Sequence, residues 1–276
     1  MAASQVDGSI HPLTRIVAVI VIPFLLLAFL ILYFFPERSA ERFAWNIRPD
    51  IMGLYIGAGY LGGSYLFLRT ALGGRWSRVA VGFPAVSAFT LAMLIATILH
   101  WDRFDIHHFP FQLWLILYVI TPVLVPYLWW RQRHSDDGSP EPGDKVVPVA
   151  VRRSVLLLGI GIVAVAAVGF FVPSLIIGIW PWNLSPLMAR ILCGWGFLLG
   201  TGSIFVSFET RWSAWRIGVE SIALWHALFL LGTLFYSSDF TTGVWMNWYT
   251  ISLSVALLLV AWFYAGISRA SPKPAT

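Results

Sequence analysis

Charged side chains are scarce in this sequence. They make up 11% of 276 residues, against roughly 25% in an ordinary soluble domain. Hydrophobic residues make up 58%, and the mean hydropathy is +0.77. A soluble core of this size cannot bury so much apolar surface, so a water-soluble globular domain is excluded. Disorder is excluded as well, because 16% of the residues are aromatic.

Cysteine and the common catalytic motifs are also missing. The single cysteine, Cys193, excludes a domain held together by disulfide bonds. The sequence has no Walker A loop, no nucleophile elbow, no His-Glu-x-x-His motif and no cysteine pair. Its longest polar stretch, 131–153, is too short for a soluble catalytic domain. Any catalysis would therefore take place among membrane helices or in the loops.

Long apolar runs are abundant instead. A helix that spans a bilayer needs about 20 mostly apolar residues, and eight windows reach that length. Lipid offers no partner to an open strand edge, so each window is predicted to be helical. The predicted fold is an all-α polytopic membrane bundle with eight transmembrane helices. The windows are 14–35, 51–70, 79–99, 110–130, 154–173, 187–208, 215–235 and 245–267.

The basic residues predict the orientation of the bundle. With eight spans, 13 of the 18 basic residues lie on the side of both termini. The positive-inside rule then places both termini in the cytoplasm. This anchoring role also accounts for the pI near 9.6, so no nucleic-acid partner is predicted. The excess of arginine over lysine is typical of a GC-rich genome and favours a bacterial inner membrane.

Two motifs recur in the same order at nearly the same spacing. The Arg-Trp-Ser triplet at 75–77 returns at 211–213, and the Trp-Asn-x-x-Pro motif at 45–49 returns at 182–186. Chance matches between apolar sequences are the alternative, but two ordered matches favour a duplication. An even number of spans in each half makes the repeat parallel. The predicted organisation is a first four-span repeat at 1–135, a cytoplasmic linker at 136–150 and a second repeat at 151–276.

Glycine is concentrated in the second span of each half. Small residues four positions apart let helices approach closely in lipid. We therefore expect these two spans to lie centrally in the bundle. The alternative is that the glycines make room for a ligand or a cofactor ring. The positions selected for helix packing are Gly57, Gly59, Gly63, Gly196 and Gly200.

A loop between spans 3 and 4 carries a cluster of metal-ligand side chains. Imidazole and carboxylate groups suit Zn, Mn, Fe or Ni, although their spacing matches no standard metal motif. The alternative is an interfacial loop with its aromatic side chains at the lipid headgroups. The candidate metal ligands are His100, Asp102, Asp105, His107 and His108.

His226 is predicted to lie near the middle of span 7. An ionisable residue at that depth indicates a function by default, such as ligation, proton relay or substrate binding. The alternative is a neutral histidine with a structural hydrogen bond. Thr90 occupies the equivalent position in the first half, and Glu220 lies nearer the start of span 7. Glu220 either pairs with Arg216 four residues earlier or forms a proton or cation site.

Three functional hypotheses remain open. The first is a transporter or channel-like bundle with a polar site between its halves at His226, Glu220 and Thr90. The second is a non-catalytic scaffold or accessory subunit of a larger membrane complex. The third is a membrane enzyme with a metal in the outer loop, and it is the less favoured class. The sequence identifies no cofactor. The lipid bilayer is its predicted partner, and a homo-oligomer or other membrane subunits stay open.

Overall fold

The computed structural model describes residues 8–269, and within them it contains helices and no β-strand. The all-α fold predicted from the sequence is therefore confirmed. The helices are α1 Pro12–Phe34, α2 Ser39–Arg42, α3 Asp50–Ala71, α4 Gly82–Leu99, α5 Phe109–Gln132, α6 Val149–Phe171, α7 Pro173–Ile179, α8 Pro186–Ser207, α9 Trp212–Phe235 and α10 Gly243–Arg269.

Eight of these helices are long and apolar enough to cross a membrane. They match the eight windows predicted from the sequence, and the chain is a multi-pass membrane protein. The short helices α2 and α7 each follow the first span of one half. Spans α1, α5 and α8 carry proline in their first turn, where the missing N–H costs no intrahelical hydrogen bond.

The connecting segments lie at two ends of the bundle. We call one end the linker face, because it carries 133–148 together with the short connections 72–81 and 208–211. The other end, the distal face, carries the connections between the other consecutive spans. Both faces are held together by hydrogen bonds between segments that are far apart in sequence.

The spans pack side by side in two rows. In the first row α1 packs on α3, α3 on α9, and α9 on α10. In the second row α6 packs on α8, α8 on α4, and α4 on α5. Each row therefore combines spans from both halves of the sequence, and the two halves are interleaved.

Trp195 of α8 joins the two rows at the centre. Its ring packs between those of Phe89 and Trp225, with ring centroids 4.5 and 4.8 Å away. It also lies over Gly59 of α3, where an added Cβ would come within 2.6 Å of the ring. Glycine at this position therefore makes room for the indole. Helix α3 is accordingly the most buried of the eight spans, with 72% of its apolar window buried.

The linker is ordered by ion pairs across the linker face. Asp136 accepts hydrogen bonds from Nη1 and Nη2 of Arg211 at 2.8 and 2.6 Å. Glu141 accepts one from Nε of Arg78 at 2.7 Å. Burial acts to raise the pKa of Asp136, but the hydrogen bonds and charge of Arg211 and the Gly138 N–H outweigh it, so the pKa is lowered.

The repeated Arg-Trp-Ser triplets occupy similar settings on the linker face. The arginine of each triplet pairs with an extended segment that precedes a span, Arg75 with Ser9 and Arg211 with Val146. In each case the backbone N–H of the triplet's tryptophan completes the pairing: that of Trp76 donates to the carbonyl of Gly8 at 2.7 Å, and that of Trp212 to the carbonyl of Lys145 at 2.8 Å. Both arginines also contact the same part of the linker, at 136–139.

Candidate functional site

A cavity of about 560 Å³ lies inside the bundle, and residues from all eight spans line it. It extends from Arg42 and Phe109, near the distal face, to Arg78 and Val79, near the linker face. Its volume lies within the roughly 300–1,000 Å³ typical of small-molecule sites. The cavity is therefore large enough for a ligand and reaches from one end of the bundle towards the other.

The cavity wall is chiefly aliphatic and aromatic. Between the arginines at its two ends, His226 is the only His, Asp, Glu or Lys among the lining residues. The other polar side-chain groups are hydroxyls and four indole N–H groups. The hydroxyls belong to Thr14, Tyr60, Thr90, Tyr118, Thr121, Ser203 and Ser221, and the indoles to Trp114, Trp195, Trp215 and Trp225.

The cavity is accessible from the lipid-facing side of the bundle. Three apolar residues of its wall are also exposed on the surface: Leu27 at 51%, Phe109 at 70% and Leu158 at 60%. In a membrane protein such side chains face lipid. The cavity therefore adjoins the lipid-facing surface of the bundle.

One ring nitrogen of His226 is hydrogen-bonded to the backbone of its own helix. Nδ1 lies 2.8 Å from the carbonyl oxygen of Ile222. A carbonyl only accepts, so Nδ1 carries the proton and Nε2 of the neutral ring presents a lone pair. Among the residues that the structure describes, Nε2 has no hydrogen-bond partner. His226 therefore brings an acceptor to the cavity wall.

Thr90 of α4 also lines the cavity. Its hydroxyl donates to the carbonyl of Ser87 at 3.1 Å. On α9, the Ser221 hydroxyl donates to the carbonyl of Gly62 at 2.6 Å. These hydrogens bind backbone, so the hydroxyls contribute little donor capacity to the cavity.

Trp195 is a cavity residue that the sequence analysis did not select. It is 3% exposed, and its indole N–H has no hydrogen-bond partner within residues 8–269. As at Trp45, Trp180 and Trp182, whose indole N–H groups likewise lack a partner among the described residues, leaving the buried donor of Trp195 unpaired costs about 1–3 kcal/mol. Its position was a usable signal, because a tryptophan between Gly194 and Gly196 lies far from the span ends where the aromatic belt is expected.

Glu220 is directed away from the cavity and is not among its lining residues. Its carboxylate accepts hydrogen bonds from Arg216 Nε and Tyr264 OH, both at 2.8 Å, and from Tyr65. Arg69 lies 3.8 Å away. The carboxylate thus ties together α3, α9 and α10. The structure brings His226 and Thr90 to one cavity and places Glu220 in a separate ion-pair cluster.

The histidines of the distal loop are bonded to other parts of the protein. His100 Nε2 lies 2.7 Å from Arg190 Nη1, and His108 Nε2 lies 3.0 Å from the carbonyl of Phe43. Burial and the charge of Arg190 lower the pKa of His100. These two imidazoles therefore connect the loop to α8 and to the segment after α2.

The other candidate ligands of this loop make local contacts. Asp102 pairs with Arg103 at 3.3 Å, and the Asp105 carboxylate accepts the backbone N–H of His107 at 2.9 Å. Within residues 8–269, no three His, Cys, Asp or Glu side chains form a group that could hold a metal ion. The structure thus does not bring the five predicted ligands together.

The predicted packing glycines lie mostly at contacts within each row. An added Cβ would come within 3.0 Å of the Tyr33 nitrogen at Gly57, and of Ala166 Cβ at Gly196. At Gly200 it would come within 2.9 Å of a backbone oxygen of α6. Gly59 instead faces Trp195 across the rows, and Gly63 meets only one methyl group, at 3.7 Å.

The fold and the cavity define a polytopic α-helical membrane protein with an internal, lipid-accessible cavity. No protein-family model, no curated protein and no solved structure matches the chain.

Proposed function

We propose that the protein is a membrane carrier or channel-like protein that binds a lipid-soluble molecule in the cavity. The observation that carries the proposal is a cavity of about 560 Å³ to which all eight spans contribute. Its extent from Arg42 to Arg78 gives a bound molecule a path between the two ends of the bundle. Its exposed rim provides entry from the bilayer.

The chemistry of the wall favours an apolar ligand over an ion. An ion leaving water needs several polar partners, and an unpaired charge in an apolar environment is costly. The cavity offers few such partners, and the carboxylate of Glu220 is already engaged by Arg216, Tyr264 and Tyr65. An apolar molecule instead gains about 25 cal/mol for each Å² of surface that it removes from water.

A parallel duplication of a four-span unit is part of this proposal. The similar backbone pairings of Arg75 and Arg211 support it. The positions of Phe89 and Trp225, which are separated by the same 136 residues as the triplets, support it as well, because both rings pack against Trp195. A site between two such halves is common in duplicated transporters.

The linker face is proposed to be cytoplasmic, because it carries most of the basic residues. The membrane is proposed to be a bacterial inner membrane, on the excess of arginine over lysine. We expect reporter fusions after Arg75, within 136–144 and at the C-terminus to report the cytoplasm. A fusion within 104–107 should report the opposite side. An external signal from the linker fusion would overturn this orientation.

Gly218→Leu tests whether the cavity binds the ligand. Gly218 lines the cavity, and an added Cβ there would meet nothing within 4 Å. Leucine at this position fills cavity space without a clash, and it removes a helical glycine that costs about 1 kcal/mol. We expect the variant to fold at least as stably as the parent. Lipophiles that co-purify with the parent, measured by mass spectrometry of extracts, should fall at least tenfold.

Gly161→Leu is the matched control. Gly161 also meets nothing within 4 Å, but it lies exposed on α6 and does not line the cavity. Both variants replace a helical glycine with leucine, so the gain in helix stability is the same in both. Equal amounts of bound lipophile in both variants would contradict the proposed function.

A further inference from the structure

We infer that the ligand is a lipid-soluble alcohol or phenol whose hydroxyl is held by His226. This inference rests on the proposed function, because it names the chemistry of the molecule that the cavity binds. In it, the ligand hydroxyl donates to Nε2 of His226.

His226 selects a donor. Its Nδ1–H is used by the carbonyl of Ile222, 2.8 Å away, so the ring cannot offer that hydrogen to a ligand. The remaining nitrogen, Nε2, has a lone pair and no partner among the described residues. A ligand carbonyl or ether oxygen is only an acceptor, so it forms no hydrogen bond with this nitrogen. An O–H group is a donor and would form one.

The rest of the wall is chiefly apolar and suits an alkyl, isoprenoid or ring body. These features together describe an oxygenated, uncharged lipophile.

A matched pair of tritiated probes tests the inference. The first probe is 4-(nonyloxy)phenol, and the second is its methyl ether, which has the same body and lacks only the O–H. Binding is measured on the full chain in nanodiscs, and empty nanodiscs correct for partitioning into lipid. We expect the phenol to bind about tenfold more tightly than the ether, as one hydrogen bond allows.

Variants assign the contacts. His226→Leu should remove the preference for the phenol, while His226→Gln, which keeps an acceptor, should restore much of it. Equal affinity of phenol and ether for the parent protein would overturn the inference.

The same assay separates this inference from the proposed function. Gly218→Leu should abolish binding of both probes, and Gly161→Leu should leave it intact. If the ether binds as well as the phenol and Gly218→Leu still abolishes both, the cavity remains the binding site and only the assigned ligand chemistry fails. If Gly218→Leu changes neither affinity, the cavity does not bind these lipophiles and the proposed function fails.

Discussion

Asp136→Ala is expected to lower the free energy of unfolding by about 3 kcal/mol. Arg211 is 6% exposed, and its guanidinium donates two hydrogen bonds to the carboxylate of Asp136. Removing one partner of a buried ion pair costs about 3–5 kcal/mol, because the other charge stays buried. Glu209 remains paired with Arg211 at 2.7 Å, so we expect the loss of stability to lie at the lower end of this range. Thermal unfolding of purified protein in detergent measures it.

Asp137→Ala is the control, on the neighbouring residue. Its carboxylate is half exposed and lies 3.7 Å from Arg75, so solvent screens the pair. We expect little change in the unfolding temperature. An Asp136→Ala variant that unfolds at the same temperature as Asp137→Ala would show that the buried pair does not stabilise the fold.

The same pair gives the protein a pH dependence with a definite sign. The pKa of Asp136 is lowered in the folded state, so the folded protein holds the ionised form more strongly than the unfolded chain does. Its contribution to stability is present above the unfolded pKa of about 3.9 and is lost as pH falls through the folded pKa. In Asp136→Ala, this part of the acid destabilisation should be absent.

Gly200→Ala is the second variant with a large expected effect. The added Cβ would lie 2.9 Å from the carbonyl oxygen of Gly159 and 3.0 Å from the nitrogen of Val163. Both are backbone atoms of α6, so neither can turn aside, and the two helices must separate. Overpacking of this kind costs about 1–3 kcal/mol. We expect a loss of about 2 kcal/mol, measured by thermal unfolding in detergent.

Gly63→Ala, on α3, is the control. Its added Cβ would meet only a methyl group of Leu25, at an ordinary 3.7 Å. Because alanine favours the helix over glycine by up to about 1 kcal/mol, we expect unchanged or slightly higher stability. Equal losses in the two variants would contradict the difference in packing.

The glycines show how far sequence reasoning reaches. Their spacing predicts that small residues serve close packing, but it does not separate Gly200, which meets backbone, from Gly63, which has room. The distinction depends on how closely the neighbouring helix approaches, and that distance depends on side chains far away in sequence. The same holds for Gly59, whose neighbour Trp195 comes from the other half.

The candidate site shows the same division. Depth within a span was enough to select His226 and, through the repeated motifs, Thr90, and the structure places both on one cavity. Glu220 was selected for the same reason, yet two tyrosines and Arg216 hold it outside the cavity wall. Tyr264 lies 44 residues away from Glu220, so no local pattern reveals the contact.

The sequence by itself determined that this is an all-α, eight-span membrane protein. Lipid cannot hydrogen-bond a peptide group, so every long apolar run must satisfy its own backbone as a helix, whatever lies beside it. Only the tertiary structure decided that α3 packs on α9 and α4 on α8, and that a cavity remains between the rows. The physical reason is that lipid is as apolar as the helices. No hydrophobic face then specifies a partner, and local fits such as Trp195 over Gly59 select it.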